Sequence, residues 1–315
     1  MEFRILGPLE VMDGNGVIEV KATKQRLILT VLALADGGEV SADRLLRDVW
    51  GENPPGGGLK TLQYHVSKLR DTLQPGREPG GETVVVTRPN GYALAVSPDC
   101  VDAACFERTV RDARRLLEFD PSQAAVRLRE ALDLWHGTLP IELLEMPVAG
   151  LEARRLIELR LTALEDRINA DLASGRHADV VPELQALVAE HPLRERLWAQ
   201  LMVALYRCDR QAEALRSYQR LRAVLGEELG IEPSPDLRRL EDAMLLQEPD
   251  LDVPEGLRRP ASLRGYELHE RIGEGAFGVV WRAAQRSVER KVAIKVVRAE
   301  YSNRPGFVLG FQAEA

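Results

Sequence analysis

The sequence predicts a mainly α-helical, multidomain chain of 315 residues. Three observations lead there. Apolar residues recur at helical spacing through most of residues 23–245. The first helical stretch is bracketed by short β-rich runs. After residue 264 the pattern changes to β-rich and glycine-rich.

Taken in order, residues 3–20 read as short strands. Phe3 to Val11 is apolar-rich and broken at Gly7-Pro8, and Asp13-Gly14-Asn15-Gly16 is turn chemistry. Thr23 is placed to cap a helix carrying Leu27, Ile28, Val31, Leu32 and Leu34, stopped by Gly37-Gly38. Ser41 caps a second helix, with Leu45, Leu46, Val49 and Trp50 inward and Gly51 at its end. A third helix spans residues 59–73, its apolar stripe being Leu62, Val66, Leu69 and Leu73. The opposite face carries Lys60, Thr61, Tyr64, Ser67 and Lys68, with His65 and Arg70 on the flanks. Val84-Val85-Val86-Thr87, the turn Arg88-Pro89-Asn90-Gly91 and the run Tyr92–Val96 form a hairpin, signalled by Asn-Gly between β-rich runs. Strands, three helices and a hairpin make a winged helix-turn-helix over residues 1–98.

The third helix is suited to a major groove, because it is held by one face and offers cations, hydroxyls and an aromatic ring on the other. The candidate DNA contacts are Lys60, Thr61, Tyr64, His65, Lys68 and Arg70 from the helix, with Arg88 and Asn90 from the hairpin. The net charge of the chain is −7, and residues 1–98 hold eleven Lys and Arg against twelve Asp and Glu. Cations must therefore be segregated onto one face. Gly56-Gly57-Gly58-Leu59-Lys60-Thr61 is not a phosphate loop, since Leu59 and Pro54 stand where that motif needs glycine.

Residues 99–247 are nearly all helical in pattern: one helix from Asp102 to Glu118, one from Pro121 to Trp135, and a long one from about Val148 to Ala173. An internal echo then aligns Asp171–Ala178 with Leu205–Ala212. Arg176 and Arg210 are 34 residues apart (210 − 176), the tetratricopeptide period, which predicts stacked helical hairpins sharing one core. The arginines here read as partners in surface ion pairs, and His177 and His191 as turn or surface residues. Residues 248–263, with three prolines among charges, read as a linker.

Tyr266–Ile272 reads as a strand. Gly273-Glu274-Gly275-Ala276-Phe277-Gly278-Val279-Val280 fits G-x-G-x-x-G-x-V, and Val292-Ala293-Ile294-Lys295 fits V-A-I-K. Such glycines let backbone amides approach phosphates, and Lys295 supplies a cation. Cys100, Cys105 and Cys208 are too scattered for a disulfide framework, so a reducing cytoplasm is expected, with no metal site. There is no secretion signal or run long enough to span a bilayer, and no membrane partner is expected.

On these motifs each part of the chain resembles a known family. Residues 1–98 resemble the OmpR/PhoB-type DNA-binding domain, through Phe3–Val11, Lys24-Gln25-Arg26, Leu45–Gly51, His65–Arg70 and Thr87–Tyr92. Residues 99–247 resemble the bacterial transcriptional activator domain, through Leu151–Arg155, Ala163–Asp166, Glu190–Glu195, Gln211–Leu215 and Leu229–Pro233. Together they are similar to the Streptomyces antibiotic regulatory protein (SARP) family. Residues 264–315 resemble the start of a Ser/Thr protein kinase domain, a partial β N-lobe.

The resemblance implies a transcriptional activator that binds double-stranded DNA at a direct-repeat operator and contacts RNA polymerase, a homodimer on DNA being one arrangement. For the last segment it implies ATP contacts from Ile272, Gly273, Gly275, Gly278, Val280 and Lys295, with Glu314 pairing Lys295. No catalytic residue is assigned, because no catalytic loop or D-F-G precedes Ala315. Bound ATP is expected to be weak or absent, and Mg is expected only in a full-length kinase. The segment reads as the product of a longer reading frame cut short. The alternative is a Ser/Thr kinase whose DNA-binding part localises it.

Overall fold

The computed structural model describes residues 1–248 apart from 15, 52–53, 77, 79–80 and 118–119, together with Leu251 and the backbone of strands 266–275, 278–285 and 290–297. Eleven α-helices and nine strands fall within the described residues. They form two compact units: Met1–Arg115 with Ser122–Ala170, and Leu116–Pro121 with Asp171–Ala315.

The first unit opens with an antiparallel meander of β1 (Glu2–Arg4), β2 (Glu10–Asp13) and β3 (Gly16–Ile18), with Phe3 opposite Val11. Helix α1 (Thr23–Leu34) follows and buries Ile28, Leu29, Val31 and Leu32. Thr23 is the first helical residue rather than its cap. Ala22 holds the cap position and no side chain closes it. Ser41 does cap α2 (Ala42–Trp50), its hydroxyl accepting from Arg44 N at 3.2 Å. Gly51 ends α2 at φ 65°, and α3 (Gly58–Leu73) buries the expected stripe of Leu62, Val66, Leu69 and Leu73.

The wing is β5 (Val85–Thr87) paired with β6 (Gly91–Leu94), and an unanticipated two-residue strand, β4 (Val40–Ser41), closes the sheet in the order β4-β6-β5. Gly91 is needed for a reason the turn signal does not give. A Cβ there would stand 1.9 Å from the Val40 carbonyl oxygen, so its lack of a side chain lets β4 and β6 pair.

This unit does not end at residue 98. It continues through α4 (Asp102–Leu116), part of α5 (Pro121–Leu132), the short α6 (Ile141–Leu144) and most of α7 (Ala149–Ala173). Two buried carboxylates join the winged part to these helices. Asp102 accepts from Ile5 N, Leu6 N and Ala103 N at 2.8–2.9 Å. Asp48, on α2, accepts from Val148 N at 2.9 Å and pairs with Arg44. His136 adds a third tie, since its backbone N–H donates to Leu6 O and its ring Nε2 lies 2.9 Å from Pro8 O. Gly7 leaves room for that ring, which a Cβ would meet at 2.7 Å. Burial pushes the Asp102 carboxyl above the ordinary carboxylate range. The three backbone donors and His136 pull the other way without cancelling it.

In the second unit, α8 (His177–Glu190), α9 (Glu195–Tyr206), α10 (Gln211–Leu229) and α11 (Pro235–Leu245) pack in succession. The 34-residue echo is reproduced bond for bond. Ser174 N, Gly175 N and Arg176 N donate to Asp171 O, Leu172 O and Asp171 O; Cys208 N, Asp209 N and Arg210 N donate to Leu205 O, Tyr206 O and Leu205 O. Gly175 (φ 82°) and Asp209 (φ 59°) take the same left-handed turn position. Several arginines in this region are ion-paired as expected: Arg176 with Asp171, Arg210 with Glu213, Arg222 with Glu232. His177 is half-buried, and burial, then Arg207, lowers its pKa.

The stretch expected to be a linker lies largely outside the described residues. Its Leu251 is buried, however, with its carbonyl accepting from Arg207 Nε at 2.8 Å. Strands β7 (Tyr266–Gly275), β8 (Gly278–Gln285) and β9 (Arg290–Val297) form an antiparallel meander in which Gly275 pairs with Gly278 and Val280 with Lys295.

Candidate nucleic-acid interface

Helix α3 is fixed from beneath. Its four buried side chains fall within an arc of about 60° at 100° per residue, and α1 and α2 pack against that arc. Each such side chain contributes roughly 1.5–3 kcal/mol by leaving water, so the helix is held firmly without using its other face. Lys60, Tyr64, Ser67 and Asp71 lie on the opposite side, again within about 60° of one another. All four are exposed, Tyr64 at 59%.

Of the predicted helix residues, Lys60, Tyr64 and Lys68 stand in solvent, Lys68 with an exposed ion pair to Asp71 at 3.8 Å. Thr61 is half-buried. His65 turns toward α2. Its ring lies 5.6 Å from those of Trp50 and Tyr64, and its Nδ1 is buried without a hydrogen-bond partner. Burial first, then the Lys24 ammonium, lowers its pKa, which favours a neutral imidazole. Lys24 is itself spent on the fold, donating to Val49 O and lying over the Trp50 ring.

Arg70 is placed otherwise than expected. Its guanidinium donates to Val85 O at 2.7 Å and Thr87 Oγ1 at 2.9 Å and lies over the Tyr92 ring, so it braces the wing against α3. The helical angle put it on a flank, and the hairpin that claims it lies 15–17 residues away, beyond the reach of local periodicity.

At the wing tip Arg88 and Asn90 are both exposed. Asn90 N donates to Glu39 Oε1 at 2.7 Å, while Arg88 N and Gly91 N exchange backbone bonds across the turn. The tip is thus held by main chain, leaving both side chains directed to solvent. The face as a whole presents Lys60, Lys68 and Arg88 as phosphate-seeking cations, with Tyr64 and Ser67 able to reach base edges. Sequence reasoning passed over Gln63 and Leu59, both exposed on the flank that Arg70 shares.

No group of three or more potential metal ligands occurs among the described residues. No helix among them is long and apolar enough to cross a membrane. Glu314 lies outside the described residues, as do the side chains of Ile272, Val280 and Lys295; Gly273, Gly275 and Gly278 are described only as strand backbone.

Known proteins share this architecture. The family model of the bacterial transcriptional activator domain matches residues 101–245, and that of "transcriptional regulatory protein, C terminal" matches residues 18–94. Regulatory protein DnrI of Streptomyces peucetius is 38% identical over 257 residues, covering 80% of this chain and 94% of the relative. Regulatory protein AfsR of Streptomyces griseus is 36% identical over 255 residues, 81% of this chain but 25% of the relative, so the chain spans only a quarter of that protein. Among solved structures, Mycobacterium tuberculosis EmbR in complex with a low-affinity phosphopeptide superposes with a TM-score of 0.74 at 33% identity, covering 80% of this chain and 66% of that one.

Proposed function

The chain belongs to the SARP family of transcriptional regulators, and from that premise we propose that it is a cytoplasmic, DNA-binding activator that seats α3 in the major groove of a direct-repeat operator. The observation that carries this reading is the division of α3 into a fully buried stripe and an exposed polar face, beside a wing whose Arg88 is free of the fold. Lys60, Lys68 and Arg88 contact phosphates, and Tyr64 reaches a base edge. The helical repeats, which follow the winged part in the relatives as well, contact RNA polymerase. Two copies on adjacent repeats are the working arrangement on DNA.

Operator titrations at several salt concentrations test this. Binding should weaken steeply with salt, and Lys68→Ala should lower affinity on all sequences while reducing the salt slope by about one. A slope and affinity unchanged by Lys60→Ala, Lys68→Ala and Arg88→Ala would remove the face from the interface.

A second reading concerns residues 264–315, and the β7–β8–β9 meander favours it. We infer that they begin a Ser/Thr kinase domain. The glycine-bearing hairpin ends at the Gly275–Gly278 pair, and Lys295 lies across from Val280, a register that sets the lysine on the strand next to the hairpin. Glycine backbone there suits close approach to phosphates, and Lys295 would neutralise them. ATP supplies the transferable phosphoryl group when bound. Neither family model extends past residue 245. Residues 264–315 hold neither an H-R-D nor a D-F-G motif, so radiolabelled ATP given to these 315 residues alone should yield no phosphoprotein.

A further inference from the structure

Besides Tyr64 and Ser67, two exposed side chains of α3 serve neither the fold nor phosphate contact: Leu59, 52% exposed, and Gln63. They lie one helical turn apart on the flank of α3 that faces the wing. Arg70 on the same flank is committed to Val85 O and Thr87 Oγ1, so base edges approached from this side meet Leu59 and Gln63.

The charge along α3 also gives its insertion a direction. Asp71, near the C-terminal end, stands in the outward arc and repels phosphate, whereas Lys60 and the positive end of the helix dipole attract it. The N-terminal half, which holds both side chains, is therefore the half that goes deepest.

We propose that Gln63 and Leu59 set the base preference of this protein, Gln63 by pairing with an adenine and Leu59 by covering a thymine methyl. A primary amide offers a donor and an acceptor side by side, which match adenine N7 and N6 in the major groove. The thymine methyl is the apolar group that groove presents. Four residues of helix rise about 6 Å, and stacked bases are about 3.4 Å apart, so the two contacts fall at most about two base pairs from one another. The proposal rests on α3 being the groove helix, and its test separates the two claims.

Binding sites are selected from random-sequence duplex with the full chain, wild type and variants. Gln63→Ala and Gln63→Glu should each erase an adenine preference at one position and weaken the selected site about tenfold or more; the uncharged Gln63→Ala should leave binding to random-sequence DNA unchanged, whereas the added carboxylate of Gln63→Glu weakens that as well. Replacing the thymine within about two base pairs of that adenine by uracil should weaken the wild type severalfold and leave Leu59→Ala indifferent. Both side chains are exposed, so the melting temperature should not move and loss of fold will not imitate the result. Wild-type base preference retained at every position by both Gln63 variants overturns the adenine contact. A wild type indifferent to uracil overturns the Leu59 contact. If Lys60→Ala and Lys68→Ala also bind as wild type, the groove assignment of α3 falls with them; if those two weaken binding, only the base-reading claim is lost.

Discussion

The seam between the winged part and α4–α7, and the outward face of α3, both depend on charged side chains, and they use them in opposite ways. At the seam, Asp48 and Asp102 are buried and their oxygens are taken up by backbone N–H groups and Arg44. On α3, Lys60 and Lys68 are exposed, and an exposed i,i+3 ion pair such as that of Lys68 with Asp71 holds little energy. The comparison teaches how to tell an architectural charge from a recognition charge. The first has its partners in the fold, and removing it leaves orphaned donors. The second is left open for a partner that arrives later.

Substitutions can break this contrast. The largest effect is expected at Gly91, where a methyl group would collide with Val40 O. Gly91→Ala should cost upwards of ~3 kcal/mol, read in urea unfolding, with the wing sheet displaced. Asp102→Ala comes next. It strands the N–H groups of Ile5 and Leu6 in the interior and should cost about 3 kcal/mol; a loss under about 1 kcal/mol would show that water replaces the carboxylate. Arg70→Ala should cost roughly 1–2 kcal/mol by freeing the wing from α3, lowering the melting temperature along with DNA affinity. Arg88→Ala sharpens the comparison, since affinity should fall with the melting temperature unchanged. A collapse of the fold in that variant would move Arg88 to the architectural class.

The smallest effect concerns the sign of a pH dependence. Asp102 has a folded pKa raised above its unfolded value of 3.8, so the native state holds more protons between the two. Its contribution to stability therefore rises as pH falls through that window. The lowered pKa values of Glu213 and Glu232 act oppositely: their contribution is present above 4.5 and is lost as pH falls through the folded values. Subtracting the melting curve of Asp102→Asn from that of wild type across this pH range should isolate the Asp102 contribution, and a difference of opposite sign would refute it.

The elements were legible in the sequence where their causes are local. The stripe of α3, the Ser41 cap and the Gly51 stop all follow from spacing within one helix. The 34-residue echo was visible because identical turn geometry requires similar residues at each repeat. What escaped has partners far along the chain. Asp102 reads as a surface charge until Ile5 and Leu6, 96–97 residues earlier, are brought against it. Asp48 bonds a residue 100 positions on. The tie of Arg70 to the wing was not legible, because helical angle alone cannot show a hairpin. Gln63 and Leu59 were passed over because the helix was searched for cations, hydroxyls and aromatic rings, and they are an amide and an aliphatic side chain.

The matched turns at Gly175-Arg176 and Asp209-Arg210 bear on the gene as well as on the protein. Because the two turns make the same backbone bonds, an in-frame gain or loss of 34 codons, with its ends at equivalent positions, rejoins the chain with its turn geometry intact. The helical region can thus be lengthened or shortened in whole repeats, changing the reach of its surface without the invention of a new fold.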